Sequence, residues 1–445
     1  MSAKGGDRWS RYLQERVPLW AALWSHNDCR DNEMNQGPAL ASRRTETSLR
    51  VAVAGPILTR PLEQFLDGDL DHLPPGLGGT PVWQLVSDLV KLGQEVSVVT
   101  LDPSVSTPVT ASGPLLDLVY GPHRPRHRLR DLMRVERHAV RDGVLRTMPD
   151  LVHAHWCHEY ALGALASGIP TLVTARDWGP AILMLSGART WPHASALALL
   201  YFTTLARTRY LTANSPYTAE RVRRFTKASV EVIPNGMADS DFFVPGQEDR
   251  GDSGPMGRAL VISVNNGFGP RKNVHRLLEA YRTLTQQGVE CDLHLIGSGY
   301  EPNGPCDAWA RQRRLAGGVS FLGQLPRDEV LARMRRATLL AHPAREESFG
   351  MTLIEAMSQR VPVIGGARSG AVPWVLAGGK AGFLVDVEDP RALARAIEAV
   401  LTQEALRKRL ASEGYARAWQ SFRQSRVTDL YLDAYSRLLA EQPRK

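Results

Sequence analysis

Short apolar runs alternate with amphipathic stretches in two successive series, a pattern that predicts a parallel α/β protein built twice over. The first series opens with Leu49-Arg50-Val51-Ala52-Val53-Ala54-Gly55, an apolar strand ending in glycine. Gly78-Gly79-Thr80 begins a helical pattern from Val82 to Leu92, Gly93 closes it, and Glu95 to Thr100 reads as the next strand. Runs at 151–155, 170–174, 209–213 and 230–233 continue the strands, with helices expected over 159–167 and 218–225. The polar, Gly/Pro-rich stretch 245–257 reads as a linker. A second series follows, with strands at 260–264, 291–296, 319–322, 338–341 and 361–364 and helices over 274–287, from Met351 onward, and over 390–402. A long helical region, about 404–440, closes the chain. Two doubly wound sheets joined in this way place a ligand cleft where the carboxyl ends of their strands face each other.

Composition narrows the class. With 445 residues the chain is too long for one ordinary core. Hydrophobic residues make up 43% and charged residues 22%, no apolar run approaches a membrane span, and the first residues lack a signal-peptide pattern. Cys29, Cys157, Cys291 and Cys306 lack paired spacing, which argues against a disulfide framework or zinc cage and for a reducing, cytoplasmic setting. The net charge of +8 favours anionic ligands or an anionic membrane surface. Basic residues are spread along the chain without a basic–aromatic motif, so nucleic acid is not expected as a partner. Residues 1–48 are polar and irregular, and a short amphipathic stretch from Trp9 to Trp24 is interrupted by Pro18. They read as a packing arm or as a contact for a partner or membrane surface.

The chemistry concentrates in 342–366. Glu347-Ser348-Phe349-Gly350 precedes a helix, and Glu355 lies eight residues after Glu347, one turn inside it. Unpaired amides and partial positive charge at a helix start suit a phosphate, while adjacent carboxylates accept hydrogen bonds from sugar or ribose hydroxyls. Gly267-Phe268-Gly269-Pro270-Arg271-Lys272-Asn273 follows the first strand of the second series and supplies cations for phosphate charge. Gly78 and Gly79 permit close backbone approach. His155 ends a strand at the cleft. His153 shares its strand face, yet no third ligand is in view, so no metal is expected. Ser215 is an N-cap candidate ahead of helix 218–225, and Asn235-Gly236 reads as a cleft contact or a hinge turn.

Five of these segments occur in order: Gly78-Gly79, Asp150 to Trp156, Val232-Ile233-Pro234-Asn235-Gly236, the Lys272 loop and the Glu347/Glu355 pair. Together they resemble the family-4 retaining glycosyltransferases, over about 49–440. The resemblance implies the GT-B fold, α/β with two Rossmann-like doubly wound domains facing a central cleft. Its expected parts are an extension at 1–48, an acceptor domain at 49–245, a nucleotide-sugar donor domain at 246–415, and a helical segment at 416–445 packing back on the first domain. It implies that Glu347 contacts donor-sugar hydroxyls, that Glu355 holds the ribose, and that Ser348 and the amides of Phe349, Gly350 and Met351 face the diphosphate. Gly78 and Gly79 would approach the ligand, and His155 would line the site. Lys272 matches the family's diphosphate lysine, but Asn265-Asn266 stands where Gly-Arg is usual, leaving Arg271 to take over. Arg176, in Thr174-Ala175-Arg176-Asp177, stands where relatives have histidine. It cannot act as a base, and either meets a ligand anion or pairs with Asp177 or another acid. The implied reaction is metal-independent sugar transfer, with retention, from a nucleoside-diphosphate sugar to a hydroxyl of a glycan, lipid or small molecule, without a further cofactor. Peripheral membrane contact through the basic surface or the N-terminal arm is the accompanying expectation. A non-catalytic GT-B sugar-binding protein and a sugar-nucleotide epimerase are the alternatives.

Overall fold

A computed structural model describes residues 48–185, 191–244 and 258–441, which cluster as one compact unit from Ser48 onward. The expected extension and the linker at 245–257 lie outside the described residues. The first sheet holds β1 (Arg50–Ala54), β2 (Glu95–Asp102), β3 (Val109–Ser112), β4 (Leu116–Pro122), β5 (Leu151–His155), β6 (Thr171–Ala175), β7 (Tyr210–Ala213) and β8 (Ser229–Val232). Their order is β3-β4-β2-β1-β5-β6-β7-β8, parallel throughout except for the antiparallel β3–β4 pair at one edge. The second sheet is fully parallel: β9 (Ala259–Val264), β10 (Cys291–Ile296), β11 (Val319–Gly323), β12 (Leu339–His342), β13 (Val363–Gly366) and β14 (Phe383–Val385), ordered β11-β10-β9-β12-β13-β14. Each sheet reverses its winding once, between β1 and β5 in the first and between β9 and β12 in the second. Open α/β sheets take ligands at such switch points.

The central strands are apolar on both faces because helices cover both sides. Val51, Val53, Val96 and Val98 join one core with helix Thr80–Lys91, whose Val82, Leu85, Val86 and Leu89 form its buried stripe. Ala52, Ala54, Val152 and Ala154 point to the opposite core.

The closing helical region is two helices, Glu404–Phe422 and Gln424–Ala440, separated at Arg423, whose ψ of 141° is extended. Phe422 and Ala418 are buried in the second sheet's core, whereas Val427, Tyr431, Tyr435 and Leu438 are buried in the first's. At the crossing, Met237 donates its N–H to Phe422 O at 2.9 Å and accepts from Gln424 N–H at 2.7 Å. Gly236 lies so close to Gln424 that any side chain there would meet it. Tyr435 anchors the last helix by its hydrogen bond of 2.7 Å to His153 Nδ1.

Replacing Tyr435 with Phe should lower unfolding stability by about 1–2 kcal/mol, because it leaves a buried histidine nitrogen unpaired. Replacing it with Ala should cost about 3–5 kcal/mol through the cavity left behind. Urea unfolding midpoints measure both, and a Phe variant as stable as the wild type would show that the hydroxyl carries no separate contribution.

Candidate active site

The residues following β12 build the second sheet's half of the site. His342 ends the strand, and the loop beyond it turns into helix Met351–Ser358 through Gly350, whose φ of +94° is a conformation that side chains rarely adopt. Backbone contacts pin that loop: Ala371 N–H donates to Glu347 O at 2.8 Å, and Arg345 N–H to Arg271 O at 2.9 Å. Glu347 is thereby held among basic side chains. Lys272 Nζ donates to its Oε1, His342 Nε2 lies 3.4 Å away, and Arg271 Nη1 lies at 4.0 Å. Burial alone would raise this carboxyl, but Lys272, His342 and Arg271 hold it well below the usual carboxylate range. Asn273 places Lys272, since its Nδ2 donates to Pro343 O at 3.0 Å and to Val387 O at 2.9 Å, tying the cation loop to the strands.

One turn inside the helix, Glu355 is largely enclosed, its side chain 13% exposed. Burial, with Asp241 nearby, raises its carboxyl, and Arg327 at 3.9 Å opposes that rise. Arg327 also pairs with Asp241 at 2.7 Å. Asn265 and Asn266 turn into their own backbone surroundings: Asn265 Nδ2 donates to Ser263 Oγ at 3.2 Å, and Asn266 Oδ1 accepts from Ser298 N–H at 3.3 Å. Arg271 is instead the arginine beside the Glu347 loop.

On the first sheet's side, Gly78 and Gly79 have φ of +62° and +77°, and Gly79 caps helix Thr80–Lys91. A Cβ at Gly78 would meet nothing within 4 Å, so its backbone is open to a ligand. His155 ends β5 at the switch point, fully buried, with Gly55 of the β1 end against its ring. Trp156 follows at φ +64°, strain that an aromatic residue rarely carries. His153 is a core residue, with both ring nitrogens bonded at 2.7 Å to Tyr435 Oη and Thr174 Oγ1.

Arg176 does not pair with Asp177 or another acid among the described residues, the second course its sequence left open. Its guanidinium donates to His155 Nδ1 from Nε at 3.2 Å and from Nη2 at 2.9 Å, and Nη1 donates to Asn235 Oδ1. Asp177 faces the other sheet instead. Burial and the neighbouring Glu346 push its carboxyl up to about 6, with Arg271 opposing.

The two halves touch. Ser215, which caps helix Pro216–Val222 through Thr218 N–H at 3.2 Å, donates its hydroxyl to Ser348 O at 2.6 Å. Tyr217 faces the buried Glu346. Glu347, Ser348, Arg271 and Lys272 are therefore gathered in one place, with Asp177 within the influence of Arg271 and Glu346, and His155, Arg176 and Asn235 form a second group. Phe349 is buried in the core, so only its backbone is available to a ligand, and Met351 starts the helix. His342, Glu346, Asn273, Tyr217, Arg327 and Asp241 were not legible as site residues. Only His342 carried a signal, as a histidine ending a strand just as His155 does.

The comparisons agree with this architecture. The model for "Glycosyl transferases group 1" matches residues 247–417, and that for "Glycosyltransferase Family 4" matches residues 78–240. A D-inositol 3-phosphate glycosyltransferase of Corynebacterium urealyticum is 30% identical over 43% of this chain and 46% of its own length, so that alignment spans about half of the relative. The enzyme of the same name from Mycolicibacterium smegmatis is 27% identical over 89% of this chain and 93% of its own. Sucrose-phosphate synthase from Thermosynechococcus elongatus shares the fold with a TM-score of 0.70 at 20% identity, over 88% of this chain and all of the other. The chain belongs to the group 1, family-4 glycosyltransferases and has their GT-B fold.

Asp177 gives a pH signature. An acid whose folded pKa is raised stabilises the fold fully below its unfolded pKa, ordinarily 3.8, and that stability is lost as pH rises through about 6. Asp177→Asn should therefore remove a loss of about 3 kcal/mol between these limits. Thermal midpoints of both proteins across this window measure it, and parallel curves would refute the assignment.

Proposed function

We propose that the chain is a retaining glycosyltransferase that moves a sugar from a nucleoside-diphosphate sugar to an acceptor hydroxyl. The observation that carries the reading is the largely enclosed Glu347 carboxylate, paired with Lys272 beside the start of helix Met351–Ser358. Lys272, Arg271 and the amides of Phe349, Gly350 and Met351 concentrate positive potential where a departing diphosphate gains charge, the largest kind of catalytic contribution available without a nucleophile. Glu347 would accept hydrogen bonds from donor-sugar hydroxyls and Glu355 from the ribose, with Gly78 and Gly79 approaching the ligand from the other side. The sugar would leave through an oxocarbenium-like state and be captured on the same face, the departing phosphate taking the proton of the acceptor hydroxyl. No metal enters this scheme, so a chelator should leave turnover unchanged. The names of the relatives make phosphorylated cyclitols the first acceptors to try.

The test is incubation with a panel of UDP-, GDP- and ADP-sugars and candidate acceptors, following release of nucleoside diphosphate and the anomeric configuration of the product. Lys272→Met should lower kcat about a hundredfold or more. Glu355→Gln should raise the donor KM about tenfold with kcat nearly unchanged, as expected for a contact equally strong in ground and transition states. Tight nucleotide binding without release, across all donors and acceptors, would instead mark a binding protein.

The acceptor side also presents a surface suited to an anionic bilayer. Between residues 121 and 148 the three acids are all engaged: Asp131 and Glu136 hold Arg124 at 2.8 and 2.7 Å, and Asp142 holds Arg141 at 2.7 Å. Arg126, Arg130, Arg134 and Arg146 are exposed, interleaved with the exposed Val135, Leu145 and Met148 of the helix Arg134–Thr147 and its end. Among the described residues no helix is long and apolar enough to cross a membrane. Each arginine near an anionic lipid surface contributes about 1 kcal/mol. Exchanging these four for Gln should abolish co-sedimentation with phosphatidylglycerol vesicles, while phosphatidylcholine vesicles bind neither protein. Retained binding by the variant would exclude this face.

A further inference from the structure

Arg176 is the buried cation of this site, and both its side-chain acceptors are neutral. It is 7% exposed and donates to His155 Nδ1 and Asn235 Oδ1. Its own carbonyl accepts from Asn214 Nδ2 at 2.7 Å, and its guanidinium lies 6.0 Å from the Trp156 ring centre. The contact with His155 has a consequence fixed by chemistry. A guanidinium has only donors and stays protonated, so Nδ1 must present its lone pair. The neutral imidazole then carries its proton on Nε2. Protonating Nδ1 as well would set an N–H against an N–H cation.

That Nε2 is buried and has no hydrogen-bond partner among the described residues. It lies on the edge of the ring nearest Gly55, where a Cβ would come 3.1 Å from His155 Cβ and 3.4 Å from Cδ2, the carbon next to Nε2. Gly55 thus keeps the end of β1 clear of the ring. An orphaned donor at a switch-point cleft costs stability until an acceptor arrives, and a ligand oxygen is such an acceptor.

We propose that Arg176 is a positioning residue: it locks His155 as a neutral Nε2–H donor aimed at an oxygen of the bound substrate, so that His155 orients a ligand and never serves as a base. The identity of that oxygen, a sugar hydroxyl or a phosphate, rests on the glycosyltransferase reading, whereas the locked tautomer does not. The groups facing His155 agree. His153 stacks on it with ring centres 4.0 Å apart, and its own nitrogens are taken by Tyr435 and Thr174. Tyr431 packs on His153 from the last helix, Arg176 comes from the end of β6, and no carboxylate is among the groups that influence His155. Burial, then His153 and Arg176, press its protonation well below the ordinary histidine range.

Long-range nitrogen–proton NMR of histidine-labelled protein, with His155→Asn used for assignment, reads the tautomer directly. In the wild type, Nε2 should be protonated and Nδ1 bare, unchanged from about pH 5.5 to 8. In Arg176→Met the His155 signals should move with pH, and KM should become pH-dependent and rise about tenfold while kcat changes less. Arg176→Lys, which keeps one charged donor, should restore the flat profile in part. A wild-type His155 that titrates in this window, or that carries its proton on Nδ1, overturns the proposal. So does an Arg176→Met protein with unchanged tautomer and KM profile. Should that variant not fold, the wild-type spectrum and the lysine variant decide the matter. A locked tautomer in a protein with no transfer activity would overturn the proposed reaction and leave the pair standing. A working transferase whose His155 titrates would overturn the pair alone.

Discussion

A carboxylate almost withdrawn from water stays ionised only if cations surround it, and the site is organised around that requirement at Glu347. Lys272 and Arg271 converge on it from one loop, and His342 stands beside it at the end of β12. Asn273 fixes the loop that brings Lys272, and the Ala371 amide fixes the loop that brings Glu347. The ordering cost of these groups is met when the chain folds, so a diphosphate reaching the cleft meets cations already in position. The left-handed turn at Gly350 lets this carboxylate and the start of the following helix face the same space.

The two switch points are alike in plan and opposite in charge. Each of the two sheets ends a switch-point strand in a buried histidine, His155 on β5 and His342 on β12. His155 is met by a guanidinium and His342 by a carboxylate. Equivalent positions in two similar sheets thus present histidines in contrary electrostatic company, which suits a cleft whose two sides do different work.

Much of the sheet architecture was legible because parallel strands buried on both faces leave continuous apolar runs, as at Leu260, Val261 and Ile262 of β9, and because an amphipathic helix opened by Asp389 and Pro390 declares its start. Other elements left weaker marks. The edge strand Val109–Ser112 is half exposed, and the arginine-rich helix Arg134–Thr147 buries few side chains, so neither shows a strong period. The strand expected from Val361 begins at Val363, since Pro362 has no N–H to give a ladder. The break at Arg423 had no glycine or proline to announce it; pairing with Met237, far away in sequence, imposes it. At the site, Glu347, Glu355 and Lys272 were readable from motif spacing. Their supporting residues were not, because Asn273, Arg327 and Asp241 act through contacts that only the folded chain creates. The orientation of Arg176 was equally hidden, since sequence neighbours suggested Asp177 and the fold supplied His155.

The pairing of Met237 with the chain on either side of Arg423 has a mechanical meaning. Two strands of chain pass between the sheets at this place, and hydrogen bonds clip them side by side. Such a double strap bends far more readily than it stretches or shears. Swinging about this line is the movement of the two sheets that the strap opposes least, and the Ser215–Ser348 hydrogen bond is a second link across the cleft.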